Sequence, residues 1–236
     1  MTQKLACVVE RVVAHGDRVY TAVLRPDRRL PRFRAGQFLH LAIDAYDPSG
    51  FWPESRVFSI ASAPTDRDRV RITYAVHGPF TTRMESAVVE GGSVWIKLPY
   101  GDFVVEEATD VALVAGGTGI TAFSAFLEGL LPSMSQKVVL AYGARSPQLL
   151  VYRHLIEECR ARVPGLQVVY FVEHDTGALP DAVPGRVCLE AVWPKLRAPL
   201  ETNFYIAGPP AMIDTIRGDL QHRGIAAEMI HVDAWE

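Results

Sequence analysis

A glycine-rich turn between two apolar segments is the part of this sequence best suited to bind a ligand. The apolar run Val111 to Ala115 ends in Gly116-Gly117-Thr118-Gly119-Ile120, and a helix-compatible segment continues to about Leu131. Glycines let a backbone approach a phosphate closely, and a helix N-terminus offers free N–H groups and a partial positive charge. Together with Ala122, the turn fits the dinucleotide spacing G-x-G-x-x-G/A. The alternative is a turn that only packs a helix on a sheet.

Two later loops also follow apolar runs and are suited to contact the same ligand. Arg145 and Ser146 come soon after the run that ends at Tyr142, and Gly208-Pro209-Pro210 follows Asn203 to Ala207. Ligands of parallel sheets bind at the carboxyl ends of the strands, where these loops begin. An arginine at position 145 could accommodate a 2′-phosphate, stack on adenine or face water. The choice between NADH and NADPH therefore stays open.

The first half of the chain contains two candidate binding segments. In Arg56-Val57-Phe58-Ser59, strand alternation places Arg56 and Phe58 on one face and Val57 and Ser59 on the other. An arginine can pair with a diphosphate, an aromatic ring can stack on a flat ring, and a serine hydroxyl suits a ring nitrogen. In Gly78-Pro79-Phe80-Thr81-Thr82, the hydroxyls could cap a helix or help to bind an anion. The alternatives are an edge strand with a core phenylalanine, and a simple N-cap.

The segments that must position these residues change character along the chain. Short Val-rich runs separated by turns, with one short helix near residues 81–89, predict an antiparallel barrel in the first half. From Asp110 onward, apolar strands alternate with helices, which predicts a parallel sheet covered on both faces. We expect a β plus α/β protein with a barrel domain at residues 1–107 and a nucleotide-binding α/β domain at residues 108–236. The strands are expected near residues 5–14, 18–25, 37–44, 56–62, 70–76, 93–98, 111–115, 137–142, 166–172, 203–207 and 229–232, and the longer helices near 120–131, 149–162 and 211–223.

Composition excludes several other classes of protein. Of 236 residues, 49% are hydrophobic and 22% charged, and the net charge of -3 argues against a general nucleic-acid binder. No apolar run approaches the roughly 20 residues of a membrane span. Three distant cysteines form no metal or iron–sulfur motif, and the N-terminal residues lack the apolar core of a signal peptide. We therefore expect a cytoplasmic protein without a metal site.

One basic loop allows two interpretations. The segment from Pro26 to Arg34 contains Arg28, Arg29, Arg32 and Arg34. It is either a solvated connection or a patch that docks an acidic electron-transfer partner.

Taken together and in this order, the motifs resemble those of the ferredoxin–NADP reductase superfamily, over essentially the whole chain. Arg56-Val57-Phe58-Ser59 resembles the family's flavin motif R-x-[Tyr/Phe]-[Ser/Thr], and Phe33-Arg34-Ala35-Gly36-Gln37 resembles its Phe-x-x-Gly-Gln segment. Gly116 to Ile120 resembles its nicotinamide-nucleotide loop, and Ala207 to Pro210 its C-G-P-P segment. The family combines a flavin-binding barrel with a nucleotide-binding α/β domain. Some relatives add an iron–sulfur domain, which we do not expect here because the sequence has no cluster of four cysteines.

The resemblance implies a role for each matched residue. Arg56 would hold the flavin diphosphate, with Gly78 to Thr82 as a second phosphate loop. Phe58 would stack on the isoalloxazine, and Ser59 would hydrogen-bond near flavin N5. The segment Tyr142 to Arg145 would read the adenosine end of the nucleotide. Trp235 would cover the flavin face until nicotinamide displaces it, or would simply pack on the sheet.

Two positions depart from the family pattern. Ala207 stands where the family has a cysteine, so no thiol can assist beside the nicotinamide at that position. Ala122 replaces the proline that commonly closes the family's loop.

The function implied by the resemblance is flavin-dependent oxidation of NAD(P)H. A hydride would pass from NAD(P)H to FAD, and electrons would pass to a ferredoxin, a flavodoxin or an oxygenase component. Two alternatives stay open: a reductase that uses free flavin as a substrate, and an electron-transfer subunit of a larger complex that turns over only with its partner. Glu228 and Asp233 are further candidates to tune the flavin.

Overall fold

The computed structural model describes residues 2–106 and 109–233, and the chain divides into two compact units, Met1–Val104 and Val105–Glu236. Each unit contains a six-stranded sheet. None of the described helices is long and apolar enough to cross a membrane.

The first unit is a nearly closed antiparallel barrel, as the spacing of its short strands predicted. Its strand order is β4-β3-β6-β1-β2-β5. A core of fully buried side chains such as Leu24, Leu39 and Ile96 fills the interior, and Phe80 and Met84 of helix α1 also belong to this core. The elements are β1 Gln3–Gly16, β2 Val19–Pro26, β3 Phe38–Ala42, β4 Arg56–Ser59, β5 Val70–Ala75, α1 Pro79–Ala87 and β6 Ser93–Tyr100.

The gap between β4 and β5 is bridged by single hydrogen bonds instead of a continuous ladder. The predicted strand over residues 56–62 ends at Ser59. Beyond it, the Ala61 N–H donates to the Arg71 carbonyl oxygen at 2.8 Å, and the Arg71 N–H donates to Ser62 Oγ at 3.2 Å. The barrel is therefore nearly closed beside the strand that carries the candidate flavin motif.

The second unit is the predicted parallel α/β unit, with every strand pair in its sheet parallel. Its strand order is β10-β9-β8-β7-β11-β12. The chain runs outward from β7 to β10 and then returns to the other side of β7 with β11, so a topological switch point lies between β7 and β11. The strands are β7 Val111–Gly116, β8 Val138–Ala144, β9 Leu166–Val172, β10 Val183–Pro184, β11 Asn203–Ala207 and β12 Ile230–Asp233.

Helices cover both faces of this sheet. Ala112 and Val114 of β7 belong to a core that includes α5 residues such as Ile216, while Leu113 between them is fully buried on the opposite face. The Cys159 thiol of α3 donates to the Leu127 carbonyl oxygen of α2 at 3.3 Å, which packs these two helices together. The helices are α2 Thr121–Gly129, α3 Arg153–Arg162, α4 Leu189–Val192 and α5 Pro210–His222.

Two local features of this unit differ from what the sequence predicted. A helix over residues 149–162 was expected, but α3 begins at Arg153, because Tyr152 has a left-handed φ of 65° that interrupts it after a 3₁₀ turn at Pro147–Leu149. The two-residue strand β10 was not expected, since Val183–Pro184 is too short to show alternation.

Candidate functional site

The motif Arg56-Val57-Phe58-Ser59 forms the whole of the edge strand β4. Arg56 and Phe58 are paired with Leu41 and Leu39 of β3, which belong to the barrel core. Residues directly opposite one another in an antiparallel pair point to the same face. Arg56 and Phe58 therefore lie on the interior side of the barrel wall, and Val57 and Ser59 lie on the outer side.

Arg56 connects β4 to the start of helix α1. Its guanidinium lies 5.0 Å from the centre of the buried Phe80 ring, a cation–π contact. Its Nη1 donates to the Ser55 carbonyl oxygen at 2.9 Å, and its Nη2 donates to Glu54 Oε1 at 3.0 Å. The structure thus brings together the arginine and the Gly78 segment, which the sequence identified separately.

Phe58 is half-buried, and its ring has a structural role. It packs against the barrel core and contacts the Tyr74 ring edge-on, with 6.1 Å between ring centres. The alternative that Phe58 is a core residue is therefore correct for the part of its ring that packs against the barrel interior. Stacking on an isoalloxazine ring stays a prediction for the part of the ring that is exposed.

Ser59 stands beside an aromatic cluster that the sequence patterns did not reveal. Ser59 is paired with Phe38, whose ring stacks on Tyr100 at 5.7 Å, and Tyr100 meets the His40 ring edge-on at 4.8 Å. Burial, and secondarily the charge of Lys97, lowers the pKa of His40. A neutral imidazole and two aromatic rings therefore adjoin the serine on the outer wall.

The Phe-x-x-Gly-Gln segment leads into this cluster. Phe33 is buried in the barrel core. The Gln37 side chain accepts from the Arg34 N–H at 2.9 Å and donates to the Gly101 carbonyl oxygen at 2.9 Å. Gln37 therefore links the residues before β3 to the turn after β6. The segment has this structural role in addition to any role in binding flavin.

The segment Gly78 to Thr82 forms the N-terminus of α1, and neither threonine occupies the N-cap position. Gly78 occupies the N-cap position without a side-chain cap, and Thr81 Oγ1 accepts from the His77 N–H at 2.6 Å. Thr82 is exposed, and its N–H makes the first helical bond to the Gly78 carbonyl oxygen at 3.0 Å. Phe80 was expected to contact a cofactor. Its side chain is buried in the barrel core, where the ring meets the Arg56 guanidinium, and its contact with a cofactor stays a prediction.

The glycine-rich loop forms a 3₁₀ turn, Gly117–Ile120, between β7 and α2. Gly117 has a φ of 54°, a conformation that favours glycine. Gly119 approaches the next loop so closely that a Cβ there would lie 2.3 Å from the Ala207 carbonyl oxygen. Thr118 is half-buried and Ile120 is buried. The conformation of the loop therefore depends on two things: its own 3₁₀ turn and its close contact with the loop after β11.

The loops after neighbouring strands begin at the same edge of the sheet. Gly116 is paired with Gly143, and Ala115 with Ala207, in the parallel register. Because neighbouring strands lie about 4.8 Å apart, the turn of β7 adjoins the loops of both β8 and β11. Arg145 is exposed, Ser146 is half-buried, and the Arg145 carbonyl oxygen accepts from the His174 N–H at 2.8 Å.

The Gly208-Pro209-Pro210 segment lies directly against the glycine-rich loop. A Cβ added to Gly116 would lie 2.9 Å from Pro209 Cδ, and one added to Gly208 would lie 3.0 Å from Gly116 N. Pro210 is the first residue of α5. The two glycine-containing loops therefore border the switch point together, the expected place for a nucleotide in such a sheet.

The remaining candidates are Trp235, Glu228 and Asp233. Trp235 lies outside the described residues. Glu228 is exposed in a 3₁₀ turn, and Asp233 ends β12, paired with Ala207.

Comparison with known proteins agrees with this architecture. Residues 113–218 match the family described as the oxidoreductase NAD-binding domain. The chain is 25% identical over 219 residues to a flavohemoprotein of Bacillus subtilis strain 168, covering 89% of this chain and 54% of that protein. It is 27% identical over 218 residues to the terephthalate 1,2-dioxygenase reductase component 2 of Comamonas sp, covering 89% and 61%. The chain thus spans just over half the length of these relatives.

A solved structure shows the same fold over nearly the whole chain. It is the flavohem-like FAD/NAD-binding domain of nitric oxide dioxygenase from Vibrio cholerae O1 biovar El Tor, with a TM-score of 0.83, 21% identity and coverage of 98% of both chains. A nearly closed barrel followed by a parallel α/β unit is therefore a fold that this chain shares with a known FAD/NAD-binding domain. The match to an oxidoreductase NAD-binding domain and the shared fold are consistent with the resemblance to the ferredoxin–NADP reductase superfamily that the motifs indicated.

Proposed function

We propose that this chain is an oxidoreductase that passes a hydride from NAD(P)H to FAD and electrons onward to an acceptor. The observation that carries the proposal is the presence of two separate binding elements in one chain. The first is Arg56 beside the start of α1, and the second is the pair of glycine-containing loops at the switch point. Bound flavin would supply the redox chemistry, while the protein supplies binding, orientation and electrostatics.

The residues of the chain would divide this work between them. Arg56 and the backbone of Gly78 to Thr82 would hold the flavin diphosphate, and Ser59 would hydrogen-bond near flavin N5. Gly116 to Ile120 would hold the nucleotide diphosphate at the start of α2. The adenosine end would meet Arg145 and Ser146, and the nicotinamide end Gly208 to Pro210.

For the acceptor, we propose a protein: a ferredoxin, a flavodoxin or an oxygenase component. The name of the Comamonas relative, a dioxygenase reductase component, supports this class of partner. The basic loop supplies a docking surface. Leu30 and Phe33 anchor it in the barrel core, while Arg32 and Arg34 stay exposed. The buried free thiols of Cys7 and Cys159 suit the reducing cytoplasm that we propose for it.

A second candidate function is reduction of free flavin. It is favoured by one observation: Arg56 forms an ion pair with Glu54 of its own chain. An arginine that is neutralised by its own chain would bind a diphosphate more weakly. Flavin would then be a substrate that leaves instead of a resident cofactor.

The experiment that tests the proposal is an absorbance spectrum of the purified protein, followed by anaerobic addition of NADH and, separately, NADPH. A flavin band that bleaches supports a bound-flavin reductase, and the faster nucleotide identifies the donor. A colourless protein that oxidises NAD(P)H only with added flavin supports the second candidate. Bound flavin that bleaches only with a partner present indicates an electron-transfer subunit. Absence of oxidation with added flavin and an artificial acceptor contradicts the catalytic proposal.

A further inference from the structure

One carboxylate lies between two arginines beside the start of α1. Glu54 Oε1 lies 3.0 Å from Arg56 Nη2, and Glu54 Oε2 lies 3.4 Å from Arg83 Nη1. Arg83 belongs to α1, and its Nη2 lies 2.5 Å from Asp44 Oδ1. Glu54 therefore occupies the position between two guanidinium groups that an external anion would take.

The charges of this cluster balance only while Glu54 is in place. Two arginines face two carboxylates, and all four side chains are about half exposed, between 47% and 51%. Exposed ion pairs of this kind stabilise a protein only weakly, because water and salt screen them. A diphosphate carries more negative charge than a carboxylate. Its oxygens can also accept paired hydrogen bonds from the planar guanidinium group of each arginine. Such a ligand can displace Glu54 from both guanidinium groups.

We infer that Arg83 is a second diphosphate-binding residue and that Glu54 is an internal counter-ion that the flavin diphosphate displaces. The inference rests on the proposed function, since it takes Arg56 to bind a flavin diphosphate. Arg83 lies outside the flavin motif, and among the described residues Glu54 is the side chain that contacts both Arg83 and Arg56. Glu54 lowers the affinity for flavin, because its displaced carboxylate stays close to a negatively charged ligand.

The test compares three flavins that differ in their phosphates: FAD, FMN and riboflavin. Their dissociation constants are measured by flavin fluorescence for wild type, Glu54→Gln and Arg83→Gln in the full chain. We expect Glu54→Gln to bind FAD about 3–10-fold more tightly and Arg83→Gln about tenfold more weakly, in line with a charge-assisted hydrogen bond. Riboflavin, which has no phosphate, should bind all three proteins equally.

Glu10→Gln is the matched control. Glu10 also forms an exposed ion pair with an arginine, accepting from Arg69 at 2.6 and 2.9 Å, and its removal should leave FAD affinity unchanged. Unchanged or weaker FAD binding by Glu54→Gln overturns the counter-ion role. Equal effects on FAD and riboflavin overturn the assignment of Arg83, because they indicate a general structural change. A wild-type protein that binds none of the three flavins overturns the proposed function itself, and the inference with it.

Discussion

At the scale of single residues, close contact with a neighbouring backbone limits which residue types the glycine-rich loop can accept at position 119. A Cβ on Gly119 would lie 2.3 Å from the Ala207 carbonyl oxygen and 2.7 Å from Gly208 N. Backbone atoms cannot rotate away as a flexible side chain can. The loop therefore requires glycine here for packing, whether or not a nucleotide is bound.

Replacement of Gly119 by alanine should destabilise the α/β unit. We expect a loss of about 2–3 kcal/mol in the free energy of unfolding, in the upper range for overpacking, together with weaker NAD(P)H binding. Urea denaturation and nucleotide titration measure both effects. Gly129→Ala is the control, because a Cβ there meets no described atom within 4 Å and alanine favours the helix. Equal stability of the two variants would contradict the close packing of the loops.

Ser59 allows a prediction about activity instead of stability. Its side chain lies on the outer wall of the barrel, away from the core. We expect Ser59→Ala to slow flavin reduction by NAD(P)H about 3–10-fold, the value of one lost hydrogen bond, with little change in FAD affinity. Anaerobic stopped-flow absorbance measures the rate. A variant that reduces its flavin at the wild-type rate would remove Ser59 from the catalytic residues.

At the scale of elements, the edge strand and its neighbours place a buried tyrosine beside the flavin motif. Tyr74 of β5 contacts the rings of Phe58 and Tyr20 and is almost fully buried. Burial raises the pKa of Tyr74 to about 12, with smaller contributions from Tyr20 and Glu85. The raised pKa means that the folded barrel keeps this phenol neutral over a range where the unfolded chain ionises it.

This difference predicts a pH dependence of stability in alkaline solution. The contribution of Tyr74 is complete below its ordinary pKa of about 10 and is lost as the pH rises through 12. We therefore expect the free energy of unfolding to fall between pH 10 and 12 more steeply in wild type than in Tyr74→Phe. Denaturant unfolding of both proteins at pH 8, 10 and 11 measures the difference. Parallel pH profiles would show that Tyr74 is not protected from ionisation.

The limits of the elements show what periodicity can and cannot predict. Strands such as β9 matched their expected bounds, because their apolar side chains are buried on both faces. The start of α3 was missed because Tyr152 has a left-handed conformation. Such a conformation is usually predicted from a glycine, and this position has none. The core position of Phe80 was missed because a helix start shows no alternation, and only the packing of α1 on the barrel decides which side chain turns inward.

At the scale of the whole molecule, a chain with a net charge of -3 carries a local concentration of positive charge. Arg28 donates to the Lys4 carbonyl oxygen at 2.9 Å, and Arg29 lies 3.6 Å from Asp68. Among the described residues, Arg32 and Arg34 form no side-chain ion pair. These two arginines are therefore the best candidates to meet an acidic partner.

Reversal of both charges should affect a protein acceptor selectively. We expect Arg32→Glu with Arg34→Glu to slow reduction of an acidic [2Fe–2S] ferredoxin about tenfold at low salt and to weaken its dependence on ionic strength. Reduction of a neutral quinone should stay unchanged. Arg217→Glu, in an exposed ion pair on α5, serves as the control. Equal loss of activity with both acceptors would contradict a docking role for the loop.

The sequence by itself indicated the resemblance to the ferredoxin–NADP reductase superfamily, the order of the two folds and the segments that carry the candidate site. It could do so because backbone motifs such as Gly116 to Ile120 and short strand motifs such as Arg56 to Ser59 depend on local spacing. Only the tertiary structure decided which of these residues are in contact. It placed the Gly208 loop against the glycine-rich loop, Arg56 over Phe80, and Glu54 between Arg56 and Arg83. Apart from the pair of Glu54 with Arg56, these contacts join residues far apart in the chain, and they arise from strand order and helix packing, which no local pattern encodes.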